Sequence, residues 1–311
     1  MPPVKRKGKG ESIIKFLNPE DLERFVLFGS RRIRPKRGIN MTIFQNTFIL
    51  ETVNTMGWNI YVRTPNMAAL ELVRKFYYAM VPYQFLHRVP MMVQGRPVQI
   101  TAHGINQWLD THTDLSHLID GLPENEQFEP WNWELAVDLR LDGDPAWNDH
   151  RHPLLHSQLK LDTGLWYMFF SFSLSPSTHR TELGYNAARF IYCARNGLCI
   201  DIGQIIMKQI FTGGHSSKGP LPFPCLITHF CVVTGINVHE GGWTMFPPMT
   251  DMGKWVYNDL AKHRGARLLE DQGDEDDLED DPNDSDYNVV ENIDAIEDDT
   301  GPMMDRMLRA I

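Results

Sequence analysis

The sequence predicts an α+β, predominantly α-helical single domain with a short β-hairpin, a disordered N-terminal arm and a disordered acidic C-terminal tail. Three observations carry that reading. Apolar residues recur at three-and-four spacing in several segments of residues 13–262, as in helices that bury one face. A glycine turn flanked by short apolar runs at 91–100 reads as the hairpin. Residues 270–299 hold 16 acidic residues and no basic ones. Such a segment repels itself and has too little apolar surface to offset the entropy of ordering.

Residues 1–12 are polar, basic and rich in Gly and Pro, and are expected to be disordered. A first helix should begin at Asn18, whose side chain can cap free backbone N–H groups, with Pro19 suited to the first turn. Leu22, Phe25 and Val26 share its face, and Gly29 offers a stop. A dense basic stretch follows: Arg31, Arg32, Arg34, Lys36 and Arg37. A second helix is expected over residues 65–78, burying Leu70, Val73, Phe76, Tyr77 and Met80. The hairpin turns at Gln94, Gly95 and Arg96. Thr101 then caps a helix that buries Ile105, Trp108 and Leu109. Residues 110–160 carry Pro123, Pro130, Pro145 and Pro153, with Trp131, Trp133 and Trp147 between them, and read as a loop-rich insert.

The clearest pattern spans residues 174–236. Leu183, Ala187, Phe190, Ile191 and Ala194 make one helical face, closed by Asn196 and Gly197. Asp201 caps the next helix, with Ile202, Ile205, Ile206 and Ile210 inward. A Gly/Ser loop is expected at 212–219, then a helix burying Leu226, Ile227, Phe230 and Val233 and stopping at Gly235. Residues 263–302 form the acidic tail. Residues 303–311 can make an amphipathic helix too short to stand without a partner.

Composition narrows the function classes. Four cysteines in 311 residues are too few for a disulfide framework and read as reduced thiols. The first residues lack the apolar core of a signal peptide. The most apolar run, residues 166–174, is far short of the roughly 20 residues that span a bilayer. The expectation is a soluble intracellular protein with no membrane partner, nuclear rather than cytoplasmic. Its net charge of -10 is unevenly spread: outside the acidic run, 30 basic residues face 24 acidic ones, a net of +6.

Asp162-Thr163-Gly164 matches the aspartic-protease triplet, whose Asp shares a proton with a second carboxylate. The aromatic run that follows points instead to a buried helix or strand, with Asp162 as its cap. His150, His152 and His156 fit no standard zinc spacing and read as solvated surface histidines. Cys193, Cys199, Cys225 and Cys231 are spaced too widely for zinc knuckles and read as small buried hydrophobes. Residues 213–219 lack the order of a phosphate-binding loop. The expectation is therefore a non-enzymatic protein, with no catalytic, metal, cofactor or small-molecule site. Nuclease or aspartic-protease chemistry is a remote alternative.

The basic clusters are the functional candidates. Lys5, Arg6 and Lys7 suit a nuclear import address or a phosphate-contacting arm. Arg31, Arg32, Arg34, Lys36 and Arg37 can line a nucleic-acid surface, since Arg pairs well with phosphate. They can equally be solvated loop charge or contacts that hold the fold. The acidic tail can shield them or serve solubility.

Five segments in order resemble a family known as the putative plant transposon protein domain. They are RRIRPKRGIN at 31–40, LVRKFYYAM at 72–80, VQGRPVQITAHGINQWL at 93–109, the stretch from LSPSTHRTELGYNAARF to IIMKQ at 174–209, and LPFPCLITHFCVVTGI at 221–236. The resemblance covers roughly residues 15–240, and its order and spacing make it specific although no single motif does. It implies an origin in plant transposable elements, retroelements above all, and supplies no catalytic residues. It also makes the Asp-Thr-Gly triplet incidental. Two functions are expected: an interaction or assembly module acting through a protein partner or self-association, from the well-patterned core, the aromatics expected to be exposed in the 110–160 insert and the lack of a catalytic constellation, or a nucleic-acid-binding protein working through residues 5–9 and 31–37.

Overall fold

A computed structural model of the chain describes residues 28–44, 47–63, 67–80, 90–111, 139, 154–175, 182–197, 200–216, 219–238, 243–247 and 251–262. Within them it is a mainly helical α+β protein. The basic arm, most of the 110–160 insert, His150, His152, Cys199, the acidic tail and residues 303–311 lie outside the described residues.

The most apolar run becomes the central helix, α4 (Leu161–Ser173), in which every residue from Thr163 onward is buried. A helix apolar on all sides has no face for water, so other elements surround it. Four of these are α1 (Phe48–Thr55), α5 (Tyr185–Arg195), the turn at 56–63 and α8 (Lys254–Lys262). The packing is aromatic. Trp58 stacks on Phe190 at 5.7 Å between ring centroids and meets Trp166 edge-on at 6.0 Å, while Tyr61 meets Phe169 edge-on at 5.4 Å. Phe172 meets Trp255 of α8 at 6.4 Å. Such pairs add about 1 kcal/mol each to ordinary burial.

A second layer joins α2 (Leu70–Ala79), α3 (Ala102–Leu109), α6 (Ile202–His215) and α7 (Pro224–Val233). Thr101 accepts a hydrogen bond from Gly104 N at 3.0 Å and Asp201 accepts one from Gln204 N at 2.9 Å, so both expected caps are in place. The buried Asn106 ties these helices together. Its amide oxygen accepts from Gly203 N at 2.7 Å and from the Thr111 hydroxyl at 2.8 Å, and its nitrogen donates to Asp201 at 2.7 Å.

The strands are short clips. The expected hairpin is β3 (Met91–Val93) with β4 (Arg96–Val98), turned by Gln94 and Gly95, both at positive φ as a two-residue primed turn requires. Three further pairs join distant parts of the chain. Parallel β1 (Ile33–Arg34) pairs with β7 (Leu221–Pro222). β2 (Ala68–Ala69) is antiparallel to β8 (Met245–Phe246), and β5 (Leu154–Leu155) to β6 (Glu182–Leu183).

These clips explain several departures from expectation. The helix expected from residue 65 starts at Leu70, because Ala68 and Ala69 are held extended by β8 and Ala69 N donates to the Thr228 hydroxyl. Leu183 is buried by pairing with Leu154 in β5 and β6, not by a place in α5. The expected Gly/Ser loop begins late, since α6 continues through Gly213 and Gly214 to His215. A side chain there has no room: a Cβ on Gly214 would stand 1.8 Å from Met80 Cε, and one on Gly213 2.6 Å from Pro222 Cδ. Gly29 is still helical, as are Phe28 and Ser30. His156, expected in solvent, is half-buried against Tyr167 at 5.6 Å. Val233, expected inward, is 68% exposed.

Candidate functional site

The basic stretch is where sequence reasoning placed function, and the structure divides it. It leaves a helical turn at 28–30, forms β1 beside β7, and then runs alongside residues 61–63 and 252. Arg31, Lys36 and Arg37 are buried; Arg32 is exposed and Arg34 half-buried. Lys5, Arg6 and Lys7 fall outside the described residues.

Arg31 is 6% exposed and works as a clamp. Its Nη1 donates to the carbonyls of Gly213 at 2.7 Å and Ser216 at 2.9 Å, and its Nε to that of Gly219 at 2.9 Å. Its guanidinium also lies 5.3 Å from the centre of the Phe28 ring. Carbonyls at a helix C-terminus lack intrahelical partners and carry the negative end of the helix dipole. A planar fork of donors meets several of them at once, which a lysine ammonium cannot. Burial lowers the Arg31 pKa, yet a guanidinium remains charged in proteins.

Lys36 is spent in the same way. Its ammonium donates to the carbonyls of Tyr61 and Arg63, the latter at 2.9 Å, and lies 4.8 Å from the centre of the Tyr61 ring. Burial lowers its pKa to about 7, with Asp251 and Cys225 opposing the shift. Arg37 rests 4.9 Å above the Phe172 ring, and its carbonyl accepts from the Ser173 hydroxyl at 2.6 Å. These contacts fasten the stretch to α4 and α6.

Beside Lys36 lies a cavity of about 20 Å³, lined in part by Tyr61, Trp108, Phe223, Cys225 and Leu226. That is room for one water and for no larger ligand. The Tyr61 hydroxyl is buried without a hydrogen-bond partner, and burial pushes its pKa well up. Phe223 holds a left-handed φ of 54°, an uncommon state for a bulky residue, fixed between the β7 pairing and Pro224 at the start of α7. The Cys225 thiol is pushed up to about 12 by burial, as is that of Cys231, so neither is a ready thiolate. Cys193 is buried as well. Among the described residues no three His, Cys, Asp or Glu side chains gather as metal ligands, and no helix is long and apolar enough to cross a membrane.

Asp162-Thr163-Gly164 sits in the first turn of α4, two residues beyond the N-cap Lys160, not at the cap itself. The Asp162 carboxylate meets Arg195 at 2.9 Å and accepts from Thr163 N at 2.8 Å. A protease dyad needs a second carboxylate in that place.

One surface escaped the reading of the sequence. Around the end of α7, Val232 and Val233 are exposed, as are Met67, which leads into β2, and Met245 of β8, which pairs with Ala69. Val232 stands one turn beyond Thr228, whose hydroxyl binds Ala69 N, so strand and helix residues border one junction. On the other side Val233 stands one turn beyond His229, which packs on Trp108 at 5.0 Å. The helical spacing of α7 marks both valines as apolar but does not say which neighbours are absent.

The family model described as Putative plant retrotransposon-related domain matches residues 54–237, more than half of the chain. The match begins beyond the basic stretch and takes in α2 to α7. No curated protein and no solved structure matches.

Proposed function

The chain belongs to the Putative plant retrotransposon-related domain family, and from that premise we propose that it is a non-enzymatic interaction or assembly module derived from a retroelement. The observation that carries this reading is the apolar junction of α7 with β2 and β8, where Met67 is 54% exposed and Val232 42%. Grouped apolar side chains left open to water favour a partner surface over isolated exposure. The partner is a protein, a second copy of the chain included. Light scattering on the full chain eluting from a sizing column tests it, wild type beside Val232→Ser/Val233→Glu. The expected result is a higher-order species in the wild type, or a complex with a partner, that the variant loses. Unchanged assembly in a folded variant removes this face from the account.

A second reading, nucleic-acid binding, is favoured by the exposure of Arg32 and the partial exposure of Arg34. It expects DNA or RNA affinity that falls steeply with salt and drops in Arg32→Ala/Arg34→Ala. Lys5, Arg6 and Lys7 would add to it. Salt-independent binding, or none near physiological salt, counts against it.

A further inference from the structure

We propose that the acidic run at 270–299 docks intramolecularly on the outward face of the basic stretch, at Arg32, Arg34 and Arg63, and so competes with any polyanion for that face. This goes beyond the assembly reading and does not depend on it. Inside the stretch Arg31, Lys36 and Arg37 are buried against backbone carbonyls or aromatic rings. Outside it are Arg32 and Arg63, both exposed, and the half-buried Arg34. Arg63 adjoins the stretch through its backbone: its carbonyl takes the Lys36 ammonium, and the neighbouring Val62 carbonyl accepts from Ile39 N at 2.7 Å.

The chain leads back to this place. Met252 N donates to the Gly38 carbonyl at 2.9 Å, Asn40 N donates to that of Met252 at 3.0 Å, and Ile39 bridges Met252 in parallel. Two residues later α8 begins, and its nine residues are only about 14 Å long. Seven residues then separate Lys262 from Glu270, a span of at most about 29 Å. The acidic run is thus tethered within reach of the basic face. Tethering turns a weak pairing into one at high effective concentration.

The test uses the full chain and a fluorescent heparin oligosaccharide as probe. In one variant Asp274, Asp276, Asp277, Asp280 and Asp281 become Asn, and Glu275 and Glu279 become Gln. At about 50 mM salt its affinity for heparin should rise about fivefold or more over wild type, and the gap should close near 0.5 M salt. The same neutralisation in an Arg32→Gln/Arg34→Gln/Arg63→Gln background should give little gain. Should that background fail to fold, Arg32→Gln/Arg63→Gln changes only exposed side chains and serves instead. Equal affinity of wild type and neutralised chain overturns the proposal. So does a gain that persists in full without the arginines, since that is net-charge repulsion and not docking.

Discussion

Arg31 and Arg32 are neighbours of one residue type with opposite surroundings, and the contrast shows how far residue identity reaches. Composition and spacing mark both as basic; only the position of the Gly213, Ser216 and Gly219 carbonyls, brought in by α6 and β7, decides that Arg31 is internal. Truncating Arg31 leaves several carbonyls without donors, so Arg31→Ala should cost about 3 kcal/mol or more in urea unfolding. Arg31→Lys should restore little of it. Lys36 gives a pH signature. Its folded pKa of about 7 lies below the roughly 10.4 of an unfolded lysine. Above pH 7 the unfolded state therefore holds more protons, and stability rises with pH through that window. The buried thiols of Cys225 and Cys231, at about 12, act the other way once unfolded thiols begin to ionise near pH 8.5. Between about pH 7 and 8.5 the wild type should gain stability that Lys36→Met does not. A flat wild-type profile there would mean that the ammonium keeps its proton in the fold.

Among the elements, those whose causes lie within a few residues were legible. The caps at Thr101 and Asp201, the Gln94-Gly95 turn and the buried stripe of α2 are local chemistry, and all were read from the sequence. The starts of α2 and of α5 were misjudged because strand partners some thirty to nearly two hundred residues away hold the preceding residues extended. Close approach of helices was also hidden, and it can be tested. A Cβ on Gly203 would meet the Ala102 carbonyl oxygen at 2.2 Å and the Asn106 amide at 2.8 Å. Backbone cannot step aside, so Gly203→Ala should cost about 3 kcal/mol as α3 and α6 are forced apart. Gly214→Ala, blocked by the flexible end of Met80, should cost less than half as much. Equal losses measured by chemical denaturation would contradict this account of the α3–α6 contact. Asn106→Leu should likewise lose about 2–4 kcal/mol, because the Asp201 and Thr111 side chains and Gly203 N lose a shared partner.

For the whole molecule, the family and the helical α+β class were legible because they rest on many weak signals in one order. The division of the basic stretch was not, since charge pattern carries no information on which carbonyls await it. The apolar junction around α7 was equally hidden, because a helix stripe shows which residues are apolar and not where the surrounding layers end. Residues 31–37 fasten the fold with one set of side chains and face outward with another. Paired unfolding and heparin-binding measurements on full-length Arg31→Ala and Arg32→Ala test this division most directly. Arg31→Ala should lose about 3 kcal/mol of stability while Arg32→Ala stays within about 0.5 kcal/mol of wild type. At equal folded fraction, heparin affinity should fall only in Arg32→Ala. An Arg31→Ala protein as stable as wild type that has lost heparin affinity would contradict it, and would return the whole stretch to the surface.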